Sequence, residues 1–135
     1  MPLIAVVVDE LETFLGSMNK VDRATFENLL GSIARLTRYV GIHLVVATQR
    51  PDSKVIYGNL KNNLDCRVAF KLASNVDSRV VLNEGGAENL MKKGDMLLQF
   101  DSHLQRLQGF FLPTEELRQL LNWQSFYFLI RLKDK

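Results

Sequence analysis

The chain has 135 residues, of which 47% are hydrophobic, and its 17 lysines and arginines against 15 aspartates and glutamates leave a formal net charge of +2. This composition is too apolar and too weakly charged for a disordered chain, and it fits one domain with a sizeable core. A charge of +2 favours neither a nucleic-acid nor a membrane partner, and a single cysteine excludes an internal disulfide framework.

Targeting signals are not evident in the sequence. No apolar run approaches the ~20 residues that a membrane-spanning helix requires, and the amino terminus lacks the basic segment of a signal peptide. A cytoplasmic location is therefore expected, and membrane anchoring of the full-length protein through a missing amino-terminal region stays open. The two histidines, His43 and His103, have no paired ligand spacing, which argues against a zinc site.

Two strands joined by a helix are predicted in the first third of the chain. Residues 3–8 are apolar at every position, which is typical of a strand covered on both faces in a parallel sheet. Apolar residues recur with helical spacing over 22–39, with Asp22 as the predicted N-cap and Gly41 as the end signal. Residues 42–47 repeat the strand pattern, so a right-handed parallel crossover is predicted.

The other predicted elements are short. They are helices over 53–64, 75–82, 87–91 and 114–123 and strands over 66–72, 96–100 and 106–112. The last two strands can pair as a hairpin. The alternation of strands and helices predicts a three-layer α/β architecture, with a mostly parallel sheet and a hairpin towards the carboxyl end.

Two acidic residues, Asp9 and Glu10, follow the first predicted strand directly. Open α/β sheets bind their ligands at the carboxyl ends of parallel strands. Adjacent residues on a strand point in opposite directions, so one carboxylate can hold Mg²⁺ while the other acts as a general base. An apolar strand that ends in Asp-Glu has the form of a Walker B motif. The alternative is a pair of acidic residues that caps the next turn.

Two further polar residues, Thr48 and Gln49, follow the second predicted strand. A glutamine side chain both donates and accepts hydrogen bonds, so it can orient a water molecule or contact a γ-phosphate. The alternative is a turn before Arg50 and Pro51. Polar residues at both strand ends favour a functional site at this edge.

Six segments resemble, in their order and spacing, the FtsK/SpoIIIE family of DNA-translocating ATPases: IAVVVDE, GIHLVVATQRP, VIYGNLKNN, DSR, GGAENL and GDML. The resemblance spans residues 3–121. It implies a partial RecA-like P-loop NTPase core over residues 1–124 and leaves an unassigned apolar tail over 125–135. Related pumps of conjugation and type VII secretion share the ATQ segment.

The resemblance also implies roles for the polar residues at the strand ends. Asp9 matches the Walker B aspartate that holds Mg²⁺, and Glu10 matches the glutamate that polarises the attacking water. Gln49 matches the polar sensor of the family and, with Thr48, contacts the nucleotide. The implied cofactors of the complete motor are ATP and Mg²⁺.

An arginine from a neighbouring subunit is expected as well, because the family is similar to RecA-like rings in which nucleotide lies between subunits. Arg38 and Arg79 both match arginines of the family. Arg38 lies off the apolar stripe of its predicted helix and is ranked first. The alternative for each is a solvated surface arginine.

The phosphate-binding sequence G-x-x-x-x-G-K-[ST] does not occur among the 135 residues. In the family it precedes the Walker B strand, so the chain resembles the carboxyl half of a motor domain. The isolated chain is expected to bind ATP and DNA weakly and to hydrolyse no ATP. It is also expected to self-associate or exchange elements, because half a sheet exposes unpaired strand edges.

Three functions remain open from the sequence. The first is part of an ATP-driven translocase that assembles into a ring, a hexamer in the family, on double-stranded DNA during DNA segregation or transfer. The second is a conjugation or type VII secretion pump, whose cargo is single-stranded DNA or protein. The third is a truncated, non-catalytic interaction module.

Overall fold

The computed structural model of the chain describes residues 4–123, and within them every side chain except those of 37–40 and 120–123. The predicted apolar tail at 125–135 lies outside the described residues. The elements in chain order are β1 (Ile4–Val8), α1 (Leu11–Ser17), α2 (Lys20–Val40), β2 (Ile42–Val46), α3 (Gly58–Asn63), β3 (Cys66–Phe70), α4 (Asn75–Leu82), a 3-10 turn (Ala87–Asn89), β4 (Asp95–Phe100), β5 (His103–Gln108) and α5 (Thr114–Trp123).

The predicted parallel crossover is confirmed in the first third of the chain. Strands β1 and β2 pair in parallel from Ile4 opposite Ile42 to Val8 opposite Val46, and α2 connects them. The expectation that these strands are covered on both faces is wrong for this chain. Val7 is 65% exposed and Val45 is 51% exposed. Because side chains alternate along a strand, one face packs on the helices and the other faces solvent.

The remaining described strands form an antiparallel sheet in the order β3-β4-β5. The predicted hairpin is confirmed, but β5 begins at His103 rather than at residue 106, and Phe100 pairs with His103. The two residues between them, Asp101 and Ser102, both have positive φ, 47° and 67°. This is the backbone of a tight two-residue hairpin turn, whose twist matches that of the strands it joins. The α/β class with a hairpin after the parallel strands is confirmed. The expectation of a mostly parallel sheet is wrong for the described strands, because only β1 and β2 pair in parallel and β3, β4 and β5 form a separate antiparallel sheet.

The boundaries of two helices differ from prediction. Helix α2 is capped by Asn19, whose Oδ1 accepts the N–H groups of Val21 and Asp22, both at 3.0 Å, so Asp22 lies in the first turn rather than at the cap. Gly41, with φ of 69°, ends α2 as predicted. The predicted helix over 53–64 is shorter, because Asp52 first binds the N–H of Lys54 in a local turn.

Two apolar clusters make up the described core. The first lies between α1, α2, α3 and the inner face of the parallel sheet and contains Leu11, Leu15, Leu30, Ala34 and Leu60. The second lies between the antiparallel sheet, α4 and the 3-10 turn and contains Ala69, Leu82, Ala87, Leu90 and Leu97. Helix α1 was not predicted from the sequence, although its two buried leucines, four residues apart, tie the segment after β1 to the first cluster. Across residues 4–123, no helix is long and apolar enough to cross a membrane.

Candidate functional site

The carboxyl ends of β1 and β2 stay side by side beyond the last residues of the strands. The N–H of Ala47 donates to the carbonyl of Val8 at 2.8 Å, and the N–H of Leu11 donates to the carbonyl of Ala47 at 3.1 Å. These two bonds carry the pairing past the acidic pair that follows β1. Polar residues that are about forty positions apart in sequence therefore meet at one edge of the sheet.

The side chains of Glu10 and Gln49 are in contact at this edge. The Gln49 amide Nε2 donates to Glu10 Oε1 at 3.2 Å, and both residues are exposed. An exposed carboxylate beside an amide can hold a water molecule between an acceptor and a donor. The expectation that these residues lie close together is confirmed, while their catalytic roles stay predictions.

Glu10 has an unusual backbone conformation. Its φ of 52° and ψ of 56° place it in the left-handed region, which costs a residue with a side chain about 1–3 kcal/mol. The conformation is held from both sides, because the Glu10 carbonyl accepts the N–H of Thr13 at 2.9 Å and the next residue, Leu11, is fully buried. Strain of this kind is typical of functional sites, and the Glu10 side chain contacts Gln49.

Asp9 presents a carboxylate next to Glu10. Its Oδ1 accepts the N–H of Glu10 at 3.0 Å, and the residue is exposed. Mg²⁺ prefers oxygen ligands and is commonly bound by one or two carboxylates together with water and phosphate oxygens. Asp9 fits that chemistry as one ligand. Within the described residues, no group of three or more His, Cys, Asp or Glu side chains is placed to hold a metal by itself.

Thr48 is bound to a residue that the sequence did not single out. Its hydroxyl donates to Glu12 Oε2 at 2.5 Å and accepts the N–H of Arg50 at 3.1 Å, and Glu12 Oε1 accepts the N–H of Gln49 at 3.3 Å. Burial raises the pKa of Glu12, but the hydrogen bonds from Thr48 and Gln49 and the charge of Arg50 lower it below its usual value. Because α1 was not predicted, nothing in the sequence indicated that Glu12 would face this segment.

The two candidate arginines are not both described. Arg79 lies on α4, which packs against β3, and its Nε donates to Asn75 Oδ1 at 2.9 Å. Helix α4 contributes Leu82 to the second apolar cluster, whereas Glu10 directly precedes α1, whose leucines belong to the first. The backbone of Arg38 lies in α2, but its side chain is outside the described residues. The choice between these arginines stays a prediction.

A carboxylate network organises the loop before β4. Glu88 Oε1 accepts Asn75 Nδ2 at 2.7 Å, while Oε2 accepts the hydroxyl of Ser78 at 2.6 Å and the N–H of Gly86 at 2.8 Å. These bonds, that from Asn75 foremost, lower the pKa of Glu88 to about 2. A side chain at Gly85 would collide with the Asn75 amide. Through Glu88, the segment GGAENL is therefore hydrogen-bonded to Asn75 and Ser78 of α4.

A second carboxylate joins β4 to β5. Asp95 is buried and forms two bonds with Arg106, Oδ1 to Nε at 2.9 Å and Oδ2 to Nη2 at 2.7 Å, and Oδ2 also accepts the N–H of Met91. The bonds from Arg106 and Met91 lower the pKa of Asp95 to about 2 despite the opposing effect of burial. The aspartate of the segment GDML therefore has a structural role in the hairpin.

The stability of the chain is expected to fall in acid. Glu88 and Asp95 each have a folded pKa of about 2, below their ordinary values of 4.5 and 3.8. A depressed carboxylate pKa contributes stability above the unfolded pKa that is lost as pH falls towards the folded pKa. The melting temperature should therefore decrease from pH 5 to pH 2. Glu88→Gln and Asp95→Asn should each flatten that decrease in thermal unfolding.

The control for acid unfolding is Glu84→Gln, which removes an exposed carboxylate from the same loop. It should keep the wild-type pH profile. An equal slope in all four proteins would contradict the assignment of the acid sensitivity to Glu88 and Asp95.

The chain is similar to known proteins over most of its length. No protein-family profile matches it. It is 43% identical over 125 residues to DNA translocase FtsK of Staphylococcus aureus (strain Mu50), a match that covers 91% of this chain and 15% of that protein. The chain thus spans about one seventh of the curated relative's length.

Two solved structures are similar in fold. The pCW3 conjugation coupling protein TcpA, in its monomer form with ATPgS, superposes with a TM-score of 0.78 at 30% identity over 91% of this chain and 37% of that one. The cytoplasmic domain of the type VII secretion ATPase EccC from Thermomonospora curvata superposes with a TM-score of 0.71 at 28% identity over 89% of this chain and 15% of that one.

The fold and these likenesses place the chain among RecA-like P-loop ATPases, of which it has part of the α/β core. Within that class, the sequence identity to the translocases is the more specific finding. Over its matched residues the chain belongs to the FtsK/SpoIIIE family.

Proposed function

We propose that the chain is the segment from Walker B to sensor of an ATP-driven motor that moves double-stranded DNA. The observation that carries this proposal is the contact between Glu10 and Gln49 at the paired ends of two parallel strands. The identity to DNA translocase FtsK supports DNA as the cargo. DNA segregation, and ATP hydrolysis coupled to movement along the duplex, are parts of the proposal.

Hydrolysis at this edge would divide the chemistry among three side chains. Asp9 would hold Mg²⁺, and the ion, when bound, would offset the negative charge of the phosphate oxygens. Glu10 would accept a proton from the attacking water, and the Gln49 amide would orient that water or contact the γ-phosphate. Thr48 would act on the nucleotide indirectly, through the adjacent Gln49, because its own hydroxyl is already hydrogen-bonded to Glu12.

The phosphates of ATP would be held by groups that these 135 residues do not supply, because the sequence G-x-x-x-x-G-K-[ST] does not occur among them. We propose that residues 1–124 are one part of a motor domain completed by a phosphate-binding loop, with an arginine, Arg38 or Arg79, reaching the γ-phosphate from a neighbouring subunit. A ring, a hexamer by resemblance to the family, follows from that shared site. The exposed outer face of the β1–β2 sheet supports an incomplete domain.

A second function is favoured by the fold comparison. The conjugation coupling protein TcpA and the secretion ATPase EccC share the fold at 30% and 28% identity. The same edge could therefore power a pump for single-stranded DNA or for protein. The higher sequence identity to the DNA translocase ranks the first function above this one.

The experiment that tests the proposal compares the complete protein with the 135-residue chain. The complete protein should hydrolyse ATP in the presence of Mg²⁺, and double-stranded DNA should stimulate it more than single-stranded DNA does. The 135-residue chain alone should show no hydrolysis. Stimulation by single-stranded DNA only would favour a conjugation pump, and an inactive complete protein would indicate a non-catalytic module.

A further inference from the structure

At this edge, Glu12 contacts two successive residues of the segment that follows β2, Thr48 and Gln49. It lies on α1, one residue after Leu11 and three before Leu15, and both leucines are buried in the first apolar cluster. The helix is therefore anchored to the core on one side. Glu12 leaves the helix on the side of the segment that follows β2, where it is partly buried.

The two carboxylate oxygens of Glu12 bind two successive residues. Oε2 accepts the Thr48 hydroxyl at 2.5 Å, and Oε1 accepts the backbone N–H of Gln49 at 3.3 Å. A charged acceptor makes both bonds stronger than neutral ones. The side chain therefore holds the hydroxyl of Thr48 and the backbone N–H of Gln49 at the same time.

The contact between Gln49 and Glu10 depends on that backbone. It is one hydrogen bond of 3.2 Å between two exposed side chains, and such a bond contributes little order by itself. The segment after Ala47 is otherwise a surface turn, in which Thr48 accepts the N–H of Arg50 at 3.1 Å. Order at Gln49 has to come from a rigid neighbour, and Glu12 on the anchored helix is that neighbour.

We infer that Glu12 is a positioning residue for hydrolysis: its carboxylate fixes the Thr48–Gln49 backbone so that the Gln49 amide stays beside Glu10. This inference rests on the proposed function for its catalytic consequence. Its structural part, the hold of Glu12 on Gln49, stands on the hydrogen bonds alone and is testable without nucleotide.

The first test measures backbone amide exchange by NMR in the 135-residue chain. In Glu12→Ala the Gln49 amide should exchange about tenfold faster, the expected loss for one charge-assisted hydrogen bond. The Ala47 amide, bonded to Val8, should keep its exchange rate and so report that the strands remain paired. Unchanged exchange at Gln49 would overturn the inference, and so would loss of protection at Ala47 to the same degree.

A second pair of variants separates the two bonds. Thr48→Val removes the hydroxyl but keeps the side-chain shape, so exchange at Gln49 should rise less than in Glu12→Ala. Glu12→Gln keeps one acceptor oxygen and should restore part of the protection. If Glu12→Gln exchanges at Gln49 as fast as Glu12→Ala does, the carboxylate does not act as proposed.

The second test measures ATP hydrolysis by the complete protein. Glu12→Ala should lower kcat on the order of 10- to 100-fold, the effect expected when a reacting group is misplaced, and leave KM for ATP within about twofold. Glu12→Gln should recover part of kcat. The control Glu27→Ala removes a carboxylate that pairs with Arg23 on α2 and should leave kcat unchanged.

The proposed function and the positioning role of Glu12 can be overturned separately. If Glu10→Gln hydrolyses ATP as the wild type does, the proposed function is wrong, and the exchange of Gln49 still decides the role of Glu12. If Glu10→Gln is inactive while Glu12→Ala keeps the wild-type kcat, the function stands and the positioning role of Glu12 is overturned.

Discussion

Replacement of Glu10 by glutamine in the complete protein is expected to lower kcat for ATP hydrolysis by a factor on the order of 10² to 10⁴, the usual contribution of a positioned general base. Glutamine has nearly the same shape and can still contact Gln49, but it cannot accept a proton from water. Binding of ATP should persist, because the change leaves the Asp9 carboxylate in place. Steady-state hydrolysis and equilibrium binding of labelled ATP measure the two effects separately.

The control for the Glu10 variant is Glu84→Gln, which makes the same chemical change at an exposed position of the loop after α4. It should hydrolyse ATP like the wild type. A Glu10→Gln protein that keeps more than half of the wild-type kcat would show that Glu10 is not the general base. Loss of ATP binding along with hydrolysis would instead assign Glu10 to nucleotide binding.

Replacement of Leu11 by alanine is expected to destabilise the chain by about 2–5 kcal/mol, the range for a buried leucine whose site does not collapse. Leu11 is 0% exposed and lies in the first apolar cluster directly after Glu10. The cavity would loosen the start of α1 and, with it, the left-handed backbone at Glu10. Urea unfolding of the 135-residue chain, followed by circular dichroism, measures the change in the free energy of unfolding.

The matched control is Leu29→Ala on α2, where the same side chain is 59% exposed. Little apolar area is removed from contact there, and alanine favours the helix, so the change should be within about 0.5 kcal/mol of wild type. Equal destabilisation by the two variants would contradict the expectation that the loss in the free energy of unfolding depends on how deeply each leucine is buried.

Much of the local structure could be predicted because its causes are local. The strands β1 and β2 are runs of mostly apolar, largely β-branched residues, and the predicted helix over 75–82 has the same bounds as α4. Gly41 ended α2 as expected, since a left-handed residue after a helix favours glycine. The hairpin was predicted but shifted, because the turn at Asp101 and Ser102 contains no glycine to mark it.

The candidate site could be predicted only in part. Asp9, Glu10, Thr48 and Gln49 were found because each follows an apolar strand, and parallel strands bring their carboxyl ends to one edge. Glu12 was missed, because its role depends on a short helix and on a contact across 36 residues of sequence. The hydrogen-bonded network at Glu88 was also hidden, since it joins a loop to a helix through side chains.

The charge and length of the chain say little about function, whereas the order of its segments determined the family and the residues at the strand ends. Those features are local, because strand and helix periodicity and helix caps arise from neighbouring residues. Only the tertiary structure decided that Glu10 and Gln49 touch, that Glu12 holds the segment beside them and that one face of the parallel pair stays exposed. These depend on contacts between distant residues, which the pattern along the chain does not encode.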